Sequence, residues 1–379
     1  MRFVSTRGEA QEVGFAQALL SGLAPDGGLY EPKAWPNFST DQIAAFARRP
    51  YAEVAAEILG AFAGTEIEGR VLRTLCRDAY ASFGHPAVTP LRQIGPDRHL
   101  LELFHGPSLA FKDVAMQILA RLYDHVLRSS GARLTIVCAT SGDTGGAAVE
   151  AFRGRAHIRL VVLFPKGRIS EVQRRFMTTA EDDNIVALAV EGDFDDCQAI
   201  LKGLFSDAVF AGEVGLSAVN SINFVRIIAQ SVYYFVAAAA LDGPGRAVSF
   251  VTPTGNFGDA FAGWAARRMG LPVDHILVAT NRNDILVRAL TQGVYERGVL
   301  HPTQSPAMDI QSASNFERLF FEASGRDAAA TRRAFQTFDQ GGALTVPPPI
   351  LAGMREVFDA AASPRPASAS RRSRATQRW

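Results

Sequence analysis

The sequence predicts an α/β protein of two parallel-sheet domains behind a mostly helical N-terminal domain. Three observations predict it. From Leu134 onward, β-branched runs of six or seven residues alternate with helical segments, and that spacing implies parallel strands joined by right-handed crossovers. Two of the strands run into polar, Gly-containing loops that open helices, ATSGDTGGAA (139–148) and TPTGNFGDAFAG (252–263). The first ninety residues carry helical rather than strand periodicity.

Composition narrows the classes. The chain has 379 residues, is 47% hydrophobic and 20% charged, enough for sizeable cores and two or three domains. Net charge is +1, from 39 basic and 38 acidic residues, so there is no global electrostatic case for nucleic acid. That figure hides a basic end: Arg365, Arg371, Arg372, Arg374 and Arg378 follow Ala360 with no acid, and removing those five leaves −4. The three cysteines, Cys76, Cys138 and Cys197, form no C-x-x-C pair, against a disulfide framework or a zinc site. The longest apolar stretch, 227–241, is broken by Gln230 and Ser231 and is too short for a bilayer. Residues 1–10 lack the apolar core of a secretory signal. The expectation is a cytoplasmic protein without metal, membrane or nucleic-acid partner.

Taken in order, PDGGLYEP (25–32) is a turn cluster. DQIAAFARR (41–49) and YAEVAAEILGAFAG (51–64) are helical, the second ending on glycine. PAVTPL (86–91) reads as a linker. LTIVCAT (134–140), RLVVLF (159–164) and NIVALAV (184–190) are strands; GGAAVEAF (145–152), RISEVQRRFMTTA (168–180) and the acid-started DFDDCQAILKGLFSD (193–207) are helices. A long apolar helix, INFVRIIAQSVYYFVAAAA (222–240), follows. AVSFVT (247–252) and HILVAT (275–280) are strands flanking the helix DAFAGWAARRM (259–269). The tail SPRPASASRRSRATQRW (363–379) has no apolar periodicity and reads as disordered.

Four segments carry chemistry. In TPTGNFGDAFAG, Gly255 and Gly258 permit unusual backbone angles and close approach, and the free amides of the following helix suit a phosphate. A tight turn without a ligand is the alternative. In ATSGDTGGAA, Ser141, Thr144 and the amides of Gly142, Thr144 and Gly145 can wrap an anion; the alternative is a helix capped by Ser141 or Asp143. In FHGPSLAFKDVAMQ (104–117), Lys112 lies between Phe111 and Val114. Desolvation there would lower its pKa and make it a nucleophile or base, the alternative being a surface lysine at a helix start. In VNSINFVRIIAQ (219–230), Arg226 stands about one turn after Asn223 on a very apolar helix and needs an anion or a structural carboxylate partner.

Together HGPSLAFKD, ATSGDTG, PKGRIS, NSINFVR and TPTGNFGD, in this order, resemble the threonine synthase family, fold-type-II pyridoxal-phosphate (PLP) enzymes related in fold to the tryptophan synthase β subunit. STRG (5–8) and PDGGLY resemble its N-terminal domain, and the likeness covers about residues 1–358. The resemblance implies a phospho-lyase that converts O-phospho-L-homoserine and water to L-threonine and phosphate. It implies that Lys112 bonds covalently to PLP and that Gly255, Asn256, Phe257 and Gly258 hold the cofactor's phosphate. Ser141, Gly142, Asp143 and Thr144 would face the substrate carboxylate and the ring oxygen, where Asp143 must be protonated, bridged or turned away. Asn220, Ser221, Asn223 and Arg226 would grip the substrate phosphate, with Lys166 of PKG as a weaker candidate. The implied division is an N-terminal domain (1–90), a large PLP domain (91–130 and 241–358), a small α/β domain (131–240) and a basic tail (359–379).

The end of the chain departs from the family. Family members continue further, with sheet elements and a Thr-Ala-His-Pro-like stretch that meets the pyridine nitrogen, and no such stretch occurs here. The abrupt change after VFDA (357–360) is what an altered reading frame or misplaced gene end produces, a natural basic tail being the alternative. Poor PLP binding, aggregation and little activity are the expectation. The competing readings are a threonine or serine dehydratase-like lyase, which has no substrate phosphate to grip, and a non-catalytic remnant.

Overall fold

A computed structural model of the protein describes residues 1–219 and 221–362. The expected strands assemble into two separate parallel sheets. In one, Ile185–Val190, Ile158–Pro165, Leu134–Ala139 and Leu216–Ala218 lie side by side in that order. In the other, Val273–Thr280 runs between Phe358–Ala362 and Val248–Pro253. Each helix expected between strands is present, within a few residues of its expected ends: Asp143–Phe152, Glu171–Thr178, Phe194–Ser206, Phe224–Ala240 and Gly258–Arg268.

Several elements depart from the sequence reading. PAVTPL leads directly into an antiparallel hairpin, Leu91–Gly95 with Arg98–Leu101. PDGGLYEP closes with the strand Tyr30–Pro32, paired antiparallel to Phe3–Ser5. Residues 359–362, given to the tail by composition, continue the strand Phe358–Ala362 in register with Ile276–Thr280. An Ala-rich run of five shows no strand signal alone; its pairing decides it. The disordered reading of 363–379 lies outside the described residues.

The helix Phe224–Ala240 organises the centre. Nearly all its residues are buried, because it has helices on several sides. It packs most extensively on Gly258–Arg268, then on Asp113–Ser130 and Tyr51–Ala63. A boundary at residue 240 therefore separates this helix from its main partner. Its apolar surface is wide enough to be covered on all sides, which strand-helix alternation alone does not reveal. Aromatic rings join it to the N-terminal region: Phe62 lies 5.8 Å from Phe224 and Phe38 5.5 Å from Phe235. Trp35 meets Trp264 at 5.7 Å. Among the described residues no helix is long and apolar enough to cross a membrane.

The approach of the 224–240 and 258–268 helices depends on Gly263. A Cβ there would lie 2.7 Å from the Tyr234 ring and 2.9 Å from Ile276. The ring cannot yield, since Tyr234 Oη donates to the Asp259 carbonyl at 2.8 Å. Gly263→Val should therefore cost about 1–3 kcal/mol through overpacking. Gly203→Ala, where a methyl meets nothing within 4 Å, should stabilise by up to about 1 kcal/mol. Urea unfolding midpoints of the two variants check the contrast.

Candidate active site

Lys112 is positioned by a loop that closes on its neighbour. Asp113 is fully buried, and its carboxylate accepts from Ser108 N at 2.8 Å and Ser108 Oγ at 2.7 Å. Gly106 crosses so close that a Cβ would sit 2.4 Å from Asp113 Cβ, so only glycine fits. Burial pushes Asp113 up to about 6. The closed loop delivers Lys112 to the start of the helix Asp113–Ser130. Its ammonium lies 4.9 Å from the Phe111 ring centroid and is ion-paired to Asp143, the two side chains being 12% and 19% exposed. The apolar setting read from the sequence thus also contains a carboxylate, supplied from 31 residues away.

The 139–148 loop is held from within. Thr140 Oγ1 accepts from the amides of Gly142 and Gly145, both at 2.9 Å. Asp143 Oδ1 accepts from Thr144 N at 2.9 Å. The principal cap is therefore Thr140 rather than Ser141, and the amides of Gly142, Thr144 and Gly145 are already engaged. Asp143 is turned toward Lys112 by its second oxygen. Gly142 has φ 137° and abuts Gln173, whose Oε1 would lie 2.2 Å from an added Cβ. Phe111, Gly142, Asp143, Gly146, Ser170 and Gln173 line a cleft of about 390 Å³.

The 252–259 loop supplies open donors. The left-handed residue is Phe257, with φ 63°, and not either glycine. Phe257 tolerates it because its ring is fully buried, 5.2 Å from Phe358 and 6.3 Å from Phe316. The glycines are required by neighbours instead. A Cβ on Gly255 would lie 3.1 Å from the 307–308 backbone, and one on Gly258 3.2 Å from Asn315 Nδ2. Asp259 bonds to Thr254 Oγ1 and to its neighbour's amide, and burial raises its pKa. Among the described residues, the amides of Asn256, Phe257 and Gly258 have no partner. They face the end of a helix of 11 residues, the arrangement that favours a phosphate.

Arg226 is the unusual group. It is 3% exposed, and its Nε is buried without a hydrogen-bond partner. Among the described residues no carboxylate pairs with it. Burial pulls it down to about 10, opposed by the neighbouring Cys138 and by the carboxylates of Asp143 and Asp259. The structural ion pair left open by the sequence is absent, so this cation needs an external anion.

The other predicted residues divide. Asn223 is an anchor: its Oδ1 caps Val225 N at 3.0 Å, and its Nδ2 donates to Leu19 O at 2.8 Å and Tyr123 Oη at 3.2 Å. Ser221 offers its carbonyl to Asn315 at 3.0 Å. Lys166 stands apart, paired with Glu191 while the side chains are 62% and 80% exposed. Asn220 lies outside the described residues. Sequence reasoning missed Asn315, because SNF before an apolar run reads as an ordinary helix start.

Two parallel sheets, a lysine between them and an anion-ready helix start define a fold-type-II PLP enzyme, and residues 85–336 match the pyridoxal-phosphate dependent enzyme family. Residues 2–80 match the threonine synthase N terminus. The chain is 48% identical to threonine synthase of Pseudomonas aeruginosa over 362 residues, covering 96% of this chain and 77% of that one. The PLP-bound threonine synthase of Brucella melitensis superposes with a TM-score of 0.94 at 54% identity, over 96% of this chain and 78% of that one. For the threonine synthase of Escherichia coli the TM-score is 0.75 at 32% identity, over 96% and 93%. The chain belongs to the threonine synthase family, and its cofactor is pyridoxal 5′-phosphate.

Asp113 makes the site's scaffold pH-dependent. Its native pKa of about 6 lies above the ordinary 3.8, so the folded state binds the proton more tightly. That stabilisation is complete below the unfolded pKa and is lost as pH rises through about 6. Asp113→Asn removes the slope. Its unfolding free energy relative to the parent should therefore shift in the variant's favour between about pH 4 and pH 7. Urea unfolding at the two pH values measures this, and a pH-independent difference would exclude it.

Proposed function

We propose that this chain converts O-phospho-L-homoserine and water to L-threonine and phosphate in threonine biosynthesis. The observation that carries the reading is Arg226, a buried guanidinium with no internal counter-ion beside the Lys112–Asp143 pair. The amides of residues 256–258 already present one place for an anion, which suits the cofactor's phosphate. A second anion is then required at Arg226, and a substrate phosphate meets that need. A dehydratase substrate does not.

When bound, PLP supplies the electron sink for carbanion chemistry at the substrate's carbons. The chain's residues supply position and proton transfer. Lys112 Nζ, steadied by Asp143 until ligands arrive, takes the proton from Cα and relays protons at Cβ. Arg226 holds the phosphate at Cγ and stabilises charge on the leaving oxygens as the C–O bond breaks. Cγ gains a proton and water adds at Cβ. Thr140 keeps the 141–144 backbone fixed opposite the lysine, where Ser141 and Thr144 can address the substrate carboxylate. The three free, buried cysteines are in keeping with a reducing compartment such as the cytoplasm.

Lys112→Ala should abolish the visible absorbance of cofactor-loaded protein and its borohydride-fixed adduct, read by spectroscopy and peptide mapping. An adduct persisting on another lysine would overturn the assignment. Arg226→Leu should weaken use of phosphohomoserine by about 2–5 kcal/mol while leaving PLP affinity nearly unchanged. A phosphate-release assay and a PLP titration separate the two effects. Keto-acid formation from threonine without phosphate release would instead favour a dehydratase.

A further inference from the structure

We propose that Asn315 and Arg318 are positioning residues that hold the two anion-binding segments in one fixed relation, with Glu31 of the N-terminal domain as the counter-charge of Arg318. The proposal rests on the functional reading above, in which one segment takes the cofactor's phosphate and the other the substrate's.

Asn315 is fully buried and touches both segments. Its backbone amide and its Nδ2 each donate to the Asn256 carbonyl at 3.1 Å. The same Nδ2 donates to the Ser221 carbonyl at 3.0 Å. Its Oδ1 accepts from Arg318 Nη1. A carboxamide has two N–H donors and one acceptor oxygen, and here all are in use.

The consequence at the cofactor loop follows from peptide geometry. A trans peptide is planar, with its C=O and N–H pointing in opposite directions. Fixing the Asn256 carbonyl toward Asn315 therefore aims the Phe257 amide the other way. That amide is one of the open donors of the loop. Fixing the Ser221 carbonyl likewise sets the turn that enters the 224–240 helix, five residues before Arg226. One side chain thus determines where both sets of anion donors stand.

Arg318 extends this to the N-terminal domain. It is fully buried, and Nη2 donates to the Ile222 carbonyl at 2.7 Å and the Tyr30 carbonyl at 3.1 Å. Its Nε lies 2.9 Å from Glu31 Oε1, both side chains being wholly inaccessible. Burial drives the Glu31 pKa up, partly opposed by Arg318. A buried ion pair gives little net stability; the guanidinium plane is fixed by the bonds from Nη1 to Asn315 and from Nη2 to Ile222 and Tyr30, while Glu31, whose carboxylate oxygens have no hydrogen-bond partner, supplies the neighbouring charge. The N-terminal domain therefore acts on the site through one arginine.

The test uses full-length holoprotein. Asn315→Asp keeps the shape and removes both side-chain donors. PLP titration, the ³¹P chemical shift of bound cofactor, and kcat and KM for phosphohomoserine are read alongside thermal unfolding. The expected result is a loss of PLP affinity and a rise in KM of about tenfold or more each, with a shifted ³¹P line. Arg226→Leu should move KM without moving the ³¹P line. Unchanged PLP affinity and an unchanged ³¹P line in folded Asn315→Asp would overturn the proposal. If that variant does not fold, the same quantities are read on Glu31→Gln. There, joint loss of PLP affinity and KM supports the proposal, and constants equal to the parent's overturn it. If the parent releases no phosphate from phosphohomoserine, the substrate reading fails, while PLP affinity and the ³¹P line still decide the Asn315 link to the cofactor loop.

Discussion

A buried arginine without a counter-ion is the constraint around which this structure is arranged. Removing a guanidinium from water is expensive, and the other buried polar side chains of the helix that bears Arg226, such as Gln230 and Ser231, carry no charge. Two carboxylates are near enough to moderate the cost, yet each is committed elsewhere. Asp143 pairs with Lys112, and Asp259 bonds to Thr254 and its neighbour's amide. The local charges are therefore nearly balanced without closing on Arg226, which leaves the guanidinium available to a ligand. The Lys112–Asp143 contact is part of the same balance, because engaging Lys112 elsewhere frees a carboxylate near Arg226.

The two sheets contribute in parallel ways. The strands Leu134–Ala139 and Val248–Pro253 each end in a loop that starts a helix, the general location for ligand sites in open α/β sheets. The loops differ in how their donors are spent. The 139–148 loop spends the amides of Gly142, Thr144 and Gly145 on Thr140 and Asp143. The 252–259 loop spends the Asn256 carbonyl on Asn315 and leaves the amides of residues 256–258 without a partner among the described residues. Engaged amides thus lie on one side and open donors on the other, with Lys112 paired to Asp143 of the first loop.

Much of this was legible in the residues. β-branched runs and strand-loop-helix punctuation locate five strands and five helices between Leu134 and Thr280, and Lys112, Arg226 and the 252–258 loop stand out by their chemistry. What escaped depends on distant partners. Thr140, and not Ser141, caps its helix because the loop folds back over it. The left-handed angle sits on Phe257 because Phe316 and Phe358 bury its ring. Asn223 looked like a ligand donor, but Leu19 and Tyr123 consume its side chain. Lys166 reads as an available cation, but it stands apart from the site and is paired with Glu191. Residues 285–362 carried no motif, although they hold Asn315 and Arg318, whose importance lies in backbone carbonyls that no side-chain pattern reveals.

The contacts that bind the N-terminal domain to the site also set a timetable for synthesis. Thr6 bonds to Glu317 across 311 positions, Arg7 to Asp339 across 332, and Arg318 to Tyr30 across 288. While the chain is emerging from the ribosome, the strand Phe3–Ser5 and its partner wait for most of the remaining sequence before their buried polar groups are met. Contacts of such sequence separation fold slowly, and the waiting segment exposes Glu31 and an aromatic surface to other chains. Newly made protein should accordingly depend on chaperone holding until helix Phe316–Ala323 has been made, long after both sheets have begun to form.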